Sequence, residues 1–123
     1  MRINTMTLRL QIPKLKRPGN SRAKIVPDAL EVHTNRAVFL YLGLELVAIQ
    51  LLNGPAVLPV KWCSGLRSVD IVADFLSSYG HNVMEGKAQI DAAIEAGTIL
   101  VRNARSGATL TLDYKGDMAK FKN

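Results

Sequence analysis

Positions 37–52 read AVFLYLGLELVAIQLL, and whether this stretch is one helix or a pair of strands decides the fold. It is apolar nearly throughout, with Gly43, Glu45 and Gln50 as the exceptions. Six leucines against three β-branched residues favour a helix, because leucine keeps more of its rotamer freedom there than Val or Ile. Thr34 can cap such a helix, and Gly54–Pro55 can stop it. Apolar residues would then surround it on nearly every side, which makes it central. The strand reading places Leu30–His33, Ala37–Leu42 and Leu44–Leu52 in a meander with turns at Thr34–Arg36 and Gly43. Periodicity does not separate the two readings for a run of this kind. The helix is the favoured expectation and the strand pair the alternative. Neither is a membrane span: a spanning helix needs about 20 apolar residues, and a central acid costs roughly 2.5–3.5 kcal/mol on insertion.

The flanks are easier to read. Thr5 to Ile12 alternates, with Met6, Leu8, Leu10 and Ile12 on one face and Thr5, Thr7, Arg9 and Gln11 on the other. This is a strand with one wet face, ended by Pro13, which has no donor for a ladder. Residues 13–24 hold turn chemistry and a cluster of cations, and are expected to form an exposed arm or loop. Ile25–Val26 could form a short strand before Pro27. Ala56 to Trp62 has strand propensity, but Pro59 points to an edge or an irregular strand. Ser68 to Tyr79 and Met84 to Ala96 are amphipathic helices, the first capped by Ser68 and followed by Gly80, the second followed by Gly97. Thr98–Asn103 and Ala108–Tyr114 flank Ala104-Arg105-Ser106-Gly107 and read as a β-hairpin. The tail GDMAKFKN is polar and basic. The expected fold class is α+β in one domain spanning residues 1–123: an N-terminal strand, a central apolar helix or strand pair, an amphipathic helix pair and a C-terminal hairpin.

Charge is segregated along the chain. The formal net charge is +6, from 16 basic and 10 acidic residues. Residues 1–24 carry +7 with no acid, residues 25–101 carry −4, and residues 102–123 carry +3. Such a pattern speaks of partners, not of fold. The order helix, turn, helix, hairpin over 68–114 resembles that of a winged helix–turn–helix module. The second helix, however, carries Glu85, Asp91 and Glu95 against Lys87 alone, so phosphates would repel it. The arm KLKRPGNSRAK at 14–24 is the stronger nucleic-acid feature: neutralising phosphates releases counterions, and five cations imply a log–log salt slope of roughly −3 to −4. It has no aromatic residue on which bases could stack.

Features of catalysis or metal binding are sparse. With one cysteine, Cys63, the chain holds no internal disulfide and no multi-thiolate site. His33 and His81 have no ligand spacing, and no phosphate-loop pattern occurs. Asp70 and Asp74 share a helix face, which at this spacing reads as solvated surface. No catalytic residue, metal or cofactor is therefore expected. No apolar segment with a cleavage site follows the basic N-terminus, so a soluble, cytoplasmic protein is expected. The leading expectation is a small non-enzymatic nucleic-acid-binding protein that contacts DNA or RNA backbones through Arg9, Lys14, Lys16, Arg17, Arg22, Lys24, Arg102 and Arg105. The alternative is a protein-interaction or assembly module, a phage- or plasmid-type accessory or inhibitory protein that forms homo- or hetero-oligomers. Its basic ends would meet an acidic protein surface or another copy of the chain in a homo-oligomer, and the apolar 37–60 stretch would supply the interface core.

Overall fold

The computed structural model of the chain describes residues 5–15, 29–52, 54–65 and 67–115. Among them run β1 (Thr5–Gln11), β2 (Ala29–His33), β3 (Ala37–Leu42), β4 (Glu45–Leu51), β5 (Ala56–Pro59), α1 (Ser68–Ser78), α2 (Lys87–Ala96), β6 (Ile99–Arg102) and β7 (Thr109–Lys115). The class is α+β, as the sequence indicates. The favoured central helix is wrong: positions 37–52 form the β3–β4 hairpin, turning at Gly43, whose φ of 67° lies in the left-handed region open to glycine. The strand alternative had the elements in place, including a turn at Thr34. There Thr34 Oγ1 accepts hydrogen bonds from the Arg36 and Ala37 amides at 3.2 and 3.1 Å.

The main sheet has the order β2-β3-β4-β5-β6. Strands β2 to β5 form an antiparallel meander, and β6 joins parallel to β5 after the chain has crossed through α1 and α2. One face of this sheet packs on the helices: Val38, Leu40, Val47, Ala48, Ala56 and Leu58 meet Val72, Phe75, Leu76 and Ile90. The other face packs on a two-stranded ribbon, where Phe39, Tyr41, Leu46, Ile49 and Val57 meet Leu10, Ile12, Leu110 and Leu112. A sheet covered on both faces takes apolar side chains on both, so β3 and β4 lose the alternation that marks a strand with one wet face. A bulge adjusts β4. Leu40 pairs with Ala48 and Tyr41 with Leu46, which leaves Val47 as the extra residue. Val47 and Ala48 consequently both face the helices, while Leu46 and Ile49 both face the ribbon.

Further corrections concern the C-terminal half. The expected hairpin does not form. β6 pairs with β5 in the main sheet, and β7 pairs antiparallel with β1 in the ribbon, from Thr5↔Lys115 to Gln11↔Thr109. The resemblance to a winged module fails with it, because no wing follows α2. β5 is an interior strand, not an edge; Pro59 is accommodated as its last residue, beyond the ladder that pairs β4 with Ala56 and Val57. Ser68 is not an N-cap but the first residue of α1, and its hydroxyl donates to the Gly65 carbonyl at 3.0 Å. α2 begins at Lys87, not Met84, because Gly86 holds φ at 105°. The readings made for Ile25–Val26 and the tail lie outside the described residues.

Candidate nucleic-acid interface

The ribbon of β1 and β7 is one-sided. Leu10, Leu110 and Leu112 are buried, while Thr7, Arg9, Gln11, Thr109, Thr111 and Asp113 are exposed on the outer face. Arg9 lies opposite Thr111 in the register. Its surroundings are tied across the strands: Thr109 donates to Gln11 Oε1 at 2.9 Å, and Thr7 donates to Asp113. Arg9 is therefore presented on a polar surface whose hydroxyls and amide are themselves hydrogen-bonding groups.

Just beyond β1 the chain is held to the loop that precedes β7. The Gly107 amide donates to the Ile12 carbonyl at 3.0 Å, and the Ile12 amide donates to the Ala108 carbonyl at 3.0 Å. The stem of Lys14 lies over Gly107; a Cβ added to this glycine would sit 3.8 Å from Lys14 Cδ. Arg105 is exposed in the same loop. Lys14 and Arg105, from opposite ends of the sequence, are thus brought to one corner. Tyr41 fixes that corner from below by donating its buried hydroxyl to the Pro13 carbonyl. Burial also pushes the Tyr41 phenol above its ordinary value. Tyr41→Phe removes this bond and leaves the ring in place; the expected loss is about 1 kcal/mol, read as a lower urea midpoint with an unchanged slope.

Arg102 ends β6 and is exposed, its Nη1 donating to the Val101 carbonyl at 2.8 Å. It stands opposite Pro59 in the parallel register, on the same strand pair that leads to Lys61 and to Arg105. Lys61 was missed from the sequence. It is one of four cations in the acidic middle of the chain, and the parallel pairing of β5 with β6 brings it to a cleft that Arg105 also lines. Lys16, Arg17, Arg22 and Lys24, the rest of the cationic arm, lie outside the described residues.

The acidic and titratable candidates stand elsewhere. Asp70 and Asp74 are exposed on α1, and no group of three His, Cys, Asp or Glu side chains suited to a metal gathers among the described residues. His33 Nε2 lies 3.0 Å from Glu31 Oε1, which also accepts from the Tyr79 hydroxyl at 3.2 Å and so ties the end of α1 to β2. On α2, Lys87 and Asp91 pair at 2.8 Å, and that hydrogen bond raises the lysine above its ordinary value. His81 Nε2 is 2.8 Å from Gln50 Oε1 within the half-buried layer between sheet and helices. Among the described residues no helix is long and apolar enough to cross a membrane. Comparison with protein-family models, curated proteins and solved structures finds no match.

Proposed function

We propose that the chain is a small non-enzymatic nucleic-acid-binding protein that grips the sugar–phosphate backbone electrostatically and reads little sequence. The observation that supports this is the β1–β7 pairing, which gathers Arg9, Lys14 and Arg105 on one connected ribbon and loop. Among the described residues none of these three cations enters an ion pair. Arg102, exposed at the end of β6, and Lys16, Arg17, Arg22 and Lys24 belong to the contact set on the strength of the sequence alone. α2 takes no part, because Asp91 and Glu95 are exposed on it.

Electrophoretic titration of duplex and single-stranded oligonucleotides between about 50 and 200 mM salt tests the proposal. Binding is expected to be indifferent to sequence and to fall with a log–log slope of about −3 to −4 or steeper. Lys14→Glu with Arg105→Glu is expected to lower that slope by about 2 and to weaken binding equally on all sequences. Absence of binding at low salt rejects the reading.

A second reading, a protein-interaction or assembly module, is favoured by edge strand β2, where Leu30 is 51% exposed. Most of the apolar 37–60 stretch is spent on the chain's own core, where β3, β4 and β5 are buried, which leaves Leu44 and Val60 as its large exposed apolar side chains. Light scattering over a concentration series separates the two readings: a monomer throughout removes self-assembly.

A further inference from the structure

A cleft of about 880 Å³ opens at the end of the main sheet, within the range typical of small-ligand sites. One wall is the β3–β4 turn, contributing Leu42, Leu44 and Leu46 with Glu45 among them. A second wall follows the end of β5, with Pro59, Val60 and Lys61, and the third is the loop after β6, from Asn103 to Ser106. The cleft thus lies beyond the carboxyl ends of the two parallel strands, the position at which sheets with parallel crossovers leave a crevice for ligands.

The lining is divided. Leucine dominates the turn, whereas both cations, Lys61 and Arg105, come from the other two walls. Leu44 and Val60 are 46% and 61% exposed, apolar surface left open to water at the cleft itself. Exposed large side chains gathered at one concavity mark a binding surface better than scattered ones do. Glu45 sits on the leucine wall, so a ligand's negative group is repelled from that side and drawn to the other. We infer that the cleft binds a small amphipathic anion, an apolar body carrying one carboxylate or phosphate, with the body on Leu42, Leu44 and Leu46 and the head on Lys61 and Arg105. This site shares Arg105 with the polyanion contact proposed above but does not rest on that reading.

Titration of the full chain with decanoate, decyl phosphate, decanol and inorganic phosphate, followed by amide chemical shifts, tests the inference. Decanoate and decyl phosphate, both below their micellar concentrations, are expected to shift the amides of Leu44–Leu46, Val60–Lys61 and Asn103–Ser106. Lys61→Gln with Arg105→Gln is expected to weaken decanoate about tenfold or more, since it removes charge-assisted contacts. Glu45→Gln is expected to tighten it, and Leu44→Asp, at an exposed position that the fold tolerates, to abolish it. Arg9→Gln with Lys14→Gln is expected to leave decanoate binding unchanged while weakening nucleic acid, so the two proposals fail separately. An equal response to decanol, an equal response to inorganic phosphate, or shifts away from these residues overturns the inference.

Discussion

Deletion of Leu40 is expected to abolish folding, whereas deletion of Val47 is expected to leave a folded protein destabilised by about 1.5–3 kcal/mol, the worth of one buried valine. The contrast follows from the ladder. In a strand, removing one residue turns every neighbour on one side of the cut to the opposite face. Without Leu40, Ala37 and Phe39 would turn from the ribbon to the helices and Val38 from the helices to the ribbon, in a sheet with no wet face to absorb the error. Val47 is the extra residue of a bulge. With it gone, Ala48 follows Leu46 directly, and the pairs Leu40↔Ala48 and Tyr41↔Leu46 run on without a break. Ala48 still faces the helices, and Leu46 and Ile49 still face the ribbon. Near-ultraviolet circular dichroism and urea unfolding read the outcome. Equal damage from the two deletions counts against the hairpin and for a helix over 37–52, where either cut rotates the following residues by about 100°.

That same two-sided burial explains why the decisive stretch misled. β1 was legible because one face of the ribbon is wet, so Thr7, Arg9 and Gln11 alternate with buried residues. β3 and β4 lie between the helices and the ribbon, and leucine fills both sides as well as valine does, so neither period nor composition betrays a strand. Both helices were legible from their stripes and closing glycines. β6 and β7 were each legible as strands, but their partners were not. A short loop between two apolar runs suggests a hairpin, and nothing local says that β7 pairs with β1, roughly a hundred positions away in the register. The candidate site inherits this limit. Clustered cations in 14–24 are visible in the sequence, but the meeting of Lys14 with the Arg105 loop depends on the β1–β7 pairing, and the contribution of Lys61 depends on the parallel β5–β6 pair.

Gln50→Leu is expected to cost about 2–3 kcal/mol, lowering the melting temperature by roughly 10 °C, although Gln50 touches none of the proposed binding residues. It is a buried polar residue in the interior strand β4, 6% exposed. Its amide nitrogen donates to the Leu51 and Gly54 carbonyls at 2.9 and 3.0 Å, which closes the turn into β5. Its oxygen, 2.8 Å from His81 Nε2, accepts the ring N–H and so selects the Nε2-protonated tautomer of a neutral imidazole. Leucine matches the volume but leaves these partners without a side-chain mate in a half-buried layer. The histidine adds a pH dependence. Burial lowers His81 below its ordinary value of 6.5. As pH falls, the unfolded chain therefore takes up this proton first, and in the window between the ordinary and the lowered value the unfolded state holds more protons. The stability contributed by the neutral ring is complete above the ordinary value and is lost as pH falls through that window. Thermal unfolding between about pH 7 and pH 5 shows the loss in the native chain, and His81→Leu removes that part of the slope. Combining the two substitutions should cost less than the sum of each alone, because each already breaks the same bond. Strict additivity, or an unchanged slope in the His81 variant, would separate the pair and leave the pH dependence to other groups.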